Sequence, residues 1–211
     1  MKNLQLDVKR NQKQLENVNI NIEYKRGGLL ARFCKFRGEF LLSFVPDFYF
    51  ENITEIEIEF LEKNFINAVL LDIDNTLSPH GAEVPYDGVY EWVSKLKNAG
   101  IKIAIISNNK KNRVQLFSKK LDLEYYIFDA KKPFRKGFSN GKNLLKTENK
   151  NVLVVGDQIF TDVFGANFSD MKSALVEPKD KNEPFGIRIK RFIEKPIRFI
   201  IKIKYKKYRR Y

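Results

Sequence analysis

Short apolar runs recur along the second two-thirds of the chain, at Ala68–Leu71, Ile101–Ile106, Tyr125–Phe128, Val152–Val155 and Ala174–Val176. They are continuous rather than alternating, which is the pattern of strands buried on both faces. Stretches of helical period lie between them. Val89, Trp92, Val93 and Leu96 fall at i, i+3, i+4 and i+7, with Gly100 where a C-terminal cap belongs. Val114, Phe117 and Leu121 repeat the pattern. Strands alternating with amphipathic helices predict an α/β fold, a parallel central sheet flanked by helices. The strands run into polar residues, Asp72, Ser107, Asp129 and Asp157. Ligands of open α/β sheets bind at those carboxyl ends.

Charge divides the chain differently. Of its 211 residues, 39 are Lys or Arg and 26 are Asp or Glu, a net charge of +13. Residues 1–45 carry nine basic against four acidic residues, and residues 187–211 carry eleven against one. The remainder, 46–186, holds 19 against 21. The expected organisation is a basic N-terminal extension over 1–45, partly disordered or interfacial, an enzymatic domain over 46–186, and a basic amphipathic tail over 187–211. Basic ends suit an anionic partner, either a membrane surface or nucleic acid. No RNA-recognition motif supports nucleic acid, so a peripheral membrane contact is the stronger expectation.

In the tail, Ile189, Phe192, Ile193, Ile197, Ile200 and Ile201 share a helical face among Lys and Arg, which reads as a membrane-surface helix. Packing of that face on the domain is the competing reading. Pro196 is expected to break or kink the helix. The longest apolar region, Phe40–Phe50, is interrupted by Pro46 and Asp47 and falls short of the roughly 20 residues of a spanning helix. Within Gly27–Phe50 the aromatic and basic residues suit core packing, an interface or both. One cysteine, Cys34, excludes an internal disulfide and fits a reducing compartment. The first ten residues lack the apolar stretch of a secretory signal. The expected location is cytoplasmic, peripheral at the inner face of the membrane.

Candidate chemistry begins where the first apolar run ends. D-I-D-N-T-L sets Asp72 and Asp74 two residues apart, an arrangement that repels unless a cation or a shared proton relieves it. V-V-G-D-Q-I-F-T-D brings Asp157 and Asp162 to the same sheet edge. Carboxylates without His or Cys form a hard-cation site and favour Mg²⁺. Ser107 and the Asn108–Asn109 pair add donors, and Lys132 of A-K-K-P adds a positive charge. Together these suit phosphoryl transfer, in which positioning and charge neutralisation do most of the catalysis. His80 reads as a solvated loop residue and Trp92 as core.

Taken in order, D-I-D-N-T-L, I-I-S-N-N, A-K-K-P and G-D-Q-I-F-T-D resemble the four motifs of the haloacid dehalogenase superfamily of phosphatases. S-N-N followed by R-V, A-x-K-P and G-D-Q-x-x-T-D-V-x-G-A-N are closer still to its YqeG-type subfamily, which is similar to phosphatidylglycerophosphate phosphatases. The resemblance implies a Rossmann-like fold and an aspartyl-phosphate intermediate. It makes Asp72 the nucleophile and Asp74 the general acid and base. Mg²⁺ would take Asp72, the Asp74 carbonyl and Asp157, with Asp162 in support. Ser107 and Lys132 would hold phosphoryl oxygens, and Asn75, Thr76 and Asn108 would contact substrate. Lys131 adjoins Lys132, but the place directly before Pro133 is the one that matches.

Cap domains of this superfamily are inserted after the first or second motif. Here 35 residues separate Asp72 from Ser107 and 25 separate Ser107 from Lys132, enough only for a helix and a strand each. No large cap domain is expected, so the site is open to a bulky or surface-bound substrate. The resemblance implies phosphatidylglycerophosphate, an anionic phospholipid. A soluble phosphatase of a sugar, nucleotide or phosphoprotein is the alternative, and an RNA-associated binding protein a weaker one.

Overall fold

The computed structural model describes residues 43–180 and 183–208. Expectations for the N-terminal extension, including Cys34 and the start of the Gly27–Phe50 segment, lie outside them. Six parallel strands form one sheet in the order β1-β6-β5-β2-β3-β4. These are β1 (Phe48–Phe50), β2 (Ala68–Leu71), β3 (Lys102–Ile106), β4 (Tyr125–Ile127), β5 (Val152–Gly156) and β6 (Lys172–Val176). The helices are α1 (Ile58–Lys63), α2 (Val89–Asn98), α3 (Lys111–Lys120), α4 (Arg135–Leu144), α5 (Phe164–Phe168) and α6 (Phe185–Tyr208). The expected parallel α/β architecture is therefore the observed one, with each predicted apolar run in a strand.

Alternation within the strands divides the core between the two faces of the sheet. Val69, Leu71, Ile105 and Val155 pack with Trp92, Leu96 and Phe117 of α2 and α3. Leu70, Ala104, Ile106 and Val154 pack with Phe138 of α4 and Ala166 of α5. Each large side chain removed from water in this way contributes about 1.5–3 kcal/mol. The Trp92 indole also donates to the Ile56 carbonyl at 2.8 Å, so its polar atom is satisfied in the core.

Strand β1 was not legible as a strand. Three residues of F-Y-F carry no alternation, and the edge forms by parallel pairing of Phe48–Phe50 with Ala174–Val176. The Asp47 carboxylate anchors it by accepting from the Ser173 amide at 2.8 Å.

Helix α6 corrects two expectations. It is not broken at Pro196, which is exposed. The carbonyl that loses its partner there belongs to Phe192, an exposed residue, so the usual penalty is reduced. Nor do its apolar residues share one face. Ile201 is buried with Ile159, Val163 and Leu175, and Ile197 packs against them, whereas Ile189, Phe192, Ile193 and Ile200 are exposed. Among the described residues no helix is long and apolar enough to cross a membrane.

Candidate active site

Register brings the site together. Leu71 stands opposite both Ile105 and Val155, so the ends of β2, β3 and β5 are level and Asp72, Ser107 and Asp157 emerge at one edge. The chain leaves β2 for β3 and β4 on one side and returns to β5 and β6 on the other. Such a switch in strand order opens a crevice at the carboxyl ends. A pocket of about 190 Å³ lies there, lined by Asp72, Asp74, Ser107, Asn108 and Lys132 among others.

At its floor the Lys132 ammonium donates to Asp72 Oδ1 and Asp162 Oδ1, both at 2.6 Å. Lys132 and both carboxylates are buried. The Asp72 carboxyl is raised to about 7, chiefly by burial, with Lys132 opposing the rise and Asp162 adding to it. The same two carboxylates outweigh burial at Lys132 and hold its ammonium charged. Asp162 sits on a π-helical turn, Ile159–Val163, the type of local widening that recurs at functional sites. Gly156 makes room for it: a Cβ at that position would meet Asp162 Cγ at 2.3 Å. Any side chain there would expel the carboxylate.

Asp72, Asp157 and Asp162 bring carboxylate oxygens within 4.8 Å of one another, and all three are buried. Acidic clusters alone prove little. Here, however, Asp157 Oδ1 is buried without any hydrogen-bond partner, and the three carboxylates meet only Lys132 and an Arg191 that is shared with Glu183 and Glu194. An unpartnered buried oxygen in an under-compensated all-oxygen cluster fits a divalent hard cation. Asp74 contributes no carboxylate to this cluster.

Asp74 instead lies on the opposite wall. Its Oδ1 accepts from the Gly81 amide at 2.9 Å and from Arg113 Nη2 at 2.6 Å, and its Oδ2 accepts from Asn109 Nδ2 at 2.7 Å. Burial alone would raise this carboxyl, but these donors together hold it below the ordinary carboxylate value. His80 Nδ1 stands 3.9 Å from Asp74 Oδ1 and lines the pocket, closer to the chemistry than a solvated loop residue would be.

The remaining predicted residues divide. Ser107 is buried in the pocket wall, and its Oγ accepts from Asn109 Nδ2 at 3.1 Å. The Asn108 amide grips the backbone of Lys132, accepting from its N–H at 2.7 Å and donating to its carbonyl at 3.2 Å. It therefore positions the lysine. Asn75 and Thr76 are not among the pocket residues. Asn75 holds Asp180 and Glu183 through its side chain and accepts from the Tyr86 hydroxyl at 3.2 Å, and Thr76 is buried. They follow Asp74 in sequence, but the turn directs Asn75 under the loop before α6 and leaves Thr76 buried outside the pocket lining.

Asn109, expected as a donor, and two residues given no role beforehand, Arg113 and Arg191, complete the site. Arg113 and Asn109 are the partners of Asp74, and an S-N-N-x-x-x-R spacing across a strand end and a first helical turn could have suggested them. Arg191 could not have been found this way. It comes from α6, donates to the Asp157 carboxylate, and bonds the Asp157 carbonyl at 2.6 Å. It also donates to Glu183 Oε1 at 2.8 Å.

A level sheet edge carrying a buried carboxylate–lysine pair and a cation-ready acidic cluster defines a phosphate-processing α/β hydrolase. The chain belongs to the haloacid dehalogenase-like hydrolases, whose family model matches residues 9–169. It is 34% identical over 161 residues to the probable phosphatase YqeG of Bacillus subtilis, covering 76% of this chain and 93% of that protein. The protein is accordingly a phosphatase of the YqeG type. Among solved structures it is similar to a haloacid dehalogenase-like hydrolase from Brucella suis, with TM-score 0.48, 9% identity and coverage of 56% of this chain and 88% of that one. It is also similar to 3-deoxy-D-manno-octulosonate 8-phosphate phosphatase of Moraxella catarrhalis, with TM-score 0.39, 22% identity and coverage of 51% and 65%.

Proposed function

We propose that this phosphatase is a Mg²⁺-dependent phosphomonoester hydrolase that acts through an aspartyl-phosphate and takes phosphatidylglycerophosphate at a membrane surface. The observation that carries the chemistry is the meeting of Asp72, Lys132, Ser107 and Asp74 in one pocket with a three-carboxylate cluster at its floor.

An Asp72 carboxylate oxygen attacks phosphorus and the bond to the leaving alkoxide breaks. Asp74, across the pocket, supplies the proton that makes the leaving group an alcohol. Arriving phosphate brings negative charge to Asp74 and favours its protonation against the hold of Arg113. In the second half Asp74 takes a proton from water as the water oxygen attacks phosphorus. The acyl-phosphate bond then breaks, freeing inorganic phosphate and restoring Asp72. Lys132 and Ser107 hold phosphoryl oxygens. Bound at Asp72, Asp157 and Asp162, Mg²⁺ would neutralise charge on the phosphoryl group.

The lipid assignment rests on α6. Phe185, Ile189, Phe192, Phe199 and Ile203 recur every three, four or seven residues, so they form one exposed stripe. Phe192 is 70% exposed and Phe199 66%. Arg188, Lys195 and Lys202 flank the stripe, as in a helix lying in an anionic interface. The site stays peripheral and faces the compartment in which the protein is synthesised.

Phosphate release from phosphatidylglycerophosphate in detergent micelles with Mg²⁺, comparing wild type with Asp72→Asn, tests the reading. Release by wild type alone supports it. Turnover of a soluble sugar phosphate but not of this lipid keeps the phosphatase and removes the lipid.

A further inference from the structure

Among the described residues no cap is inserted between the site motifs, yet the pocket is not formed by the sheet edge alone. Ile187 and Lys190 of α6 line it together with Asp72, Asp74 and Lys132. They stand on the helix face opposite the exposed apolar stripe, so one turn of α6 walls the site from outside.

The other cations nearby are occupied. Lys132 bonds Asp72 and Asp162, Arg113 bonds Asp74, and Arg191 bonds Asp157, Glu183 and Glu194. Lys190 is exposed at the rim and has no ion-pair partner among the described residues. An unpaired ammonium on the pocket wall is available to a ligand.

The pocket's size indicates which ligand. About 190 Å³ is below the roughly 300 Å³ at which pockets begin to enclose whole drug-sized molecules. A phosphoryl group and a short alcohol fill it, and the rest of the substrate must leave past the rim. An anionic group a short linker away from the scissile phosphate would meet Lys190 there.

We infer that Lys190 is a specificity residue that binds a second anionic group of the substrate, a phosphodiester or phosphate joined to the scissile phosphate by a short alcohol linker. In this role α6 supplies the wall that an inserted cap would otherwise provide. The inference rests on the phosphomonoesterase reading above but not on the substrate being a lipid, because a soluble compound can carry the same two anions.

Steady-state hydrolysis by the full chain with Mg²⁺ tests it. Three substrates are compared: glycerol 3-phosphate, with one anionic group; glycerophosphoglycerol phosphate, with two and no acyl chain; and the diacyl lipid in micelles. Lys190→Ala should raise KM for both two-anion substrates about tenfold more than for glycerol 3-phosphate, the cost of one charge-assisted contact. kcat should change less than KM, and Lys190→Arg should recover most of the loss. Arg188→Ala, which removes the same charge from the same helix in a groove beside Pro178 and Phe185, should leave the ratio between the two acyl-free substrates unchanged. An equal loss on all three substrates, or the same shift from Arg188→Ala, would overturn the inference in favour of general electrostatics. A shift confined to the lipid would overturn it in favour of an interfacial effect. If wild type hydrolyses none of the three, the phosphatase assignment to such esters fails and takes this inference with it. If wild type works and Lys190→Ala changes nothing, only the inference fails.

Discussion

The pocket floor and the inner face of α6 both bury charge, and Asp157 belongs to both. On the floor three carboxylates face the Lys132 ammonium and one guanidinium, Arg191, that is shared with Glu183 and Glu194, and an Asp157 oxygen is left without a partner. Along α6 the arrangement closes on itself. Glu194, with no exposed surface, accepts from the Ile159 amide at 2.8 Å and from Arg198 Nε at 3.2 Å, and it also pairs with Arg191. Arg198 and Lys202 pair in turn with Glu177 at 3.3 and 3.0 Å. A buried network in which every member is satisfied holds one geometry, whereas an under-compensated one recruits a ligand. The first is a clamp on the β5 edge, and the second is a site waiting for a cation.

The strongest break is chemical. Asp72→Asn should lower phosphate release by at least about a thousandfold, as loss of a covalent nucleophile does, while the protein stays folded. Circular dichroism beside the turnover assay separates the two effects.

Breaking the clamp should show in stability. Glu194→Ala leaves the buried Ile159 amide without its acceptor and takes one carboxylate from Arg191 and Arg198, which keep Asp157, Glu183 and Glu177, and it should cost about 1–3 kcal/mol in urea unfolding. A cost under about 1 kcal/mol would mean that α6 is loosely held and its charges are solvated. Gly156→Ala touches the floor alone. Its methyl group collides with Asp162, so about 1–3 kcal/mol should be lost together with Mg²⁺-induced thermal stabilisation.

Acid and base sharpen the contrast. The folded Asp72 carboxyl is raised to about 7 from 3.8. In the metal-free protein the native state therefore holds a proton that the unfolded chain has released, and stability falls as pH rises from about 4 through 7. Asp72→Asn should abolish that slope in pH-dependent thermal melts. Mg²⁺ should bind more weakly as pH drops below 7, because the proton and the metal compete for the same carboxylate. The smallest effect on folding belongs to the outer stripe. Phe192→Ser with Phe199→Ser should change stability by under about 0.5 kcal/mol each, yet end sedimentation with anionic vesicles.

Much of the fold was readable because it follows local rules. Unbroken apolar runs specify strands buried on both sides, and β2 occupies the predicted Ala68–Leu71 without a shift. Asp72, Ser107, Lys132, Asp157 and Asp162 converge because parallel strands end at a common edge, so their order in sequence already implied a place. Asn75 and Thr76 did not follow, since a residue next to a functional one can point either way around a turn. Here Asn75 takes a positive φ of 59° and points under the α6 loop.

The tail shows where sequence stops. Its composition established a basic, amphipathic helix, and periodicity established that apolar residues recur along it. Which residues turn inward was decided by the surface waiting for them. Ile201 and Tyr205 found Leu175 and the Pro46 carbonyl, and Arg191 found a carboxylate 34 residues earlier. Periodicity says that a helix has sides, but it carries no information about what each side meets. A buried ion pair needs its partner's position as well as its charge, and only the packed sheet supplied that position.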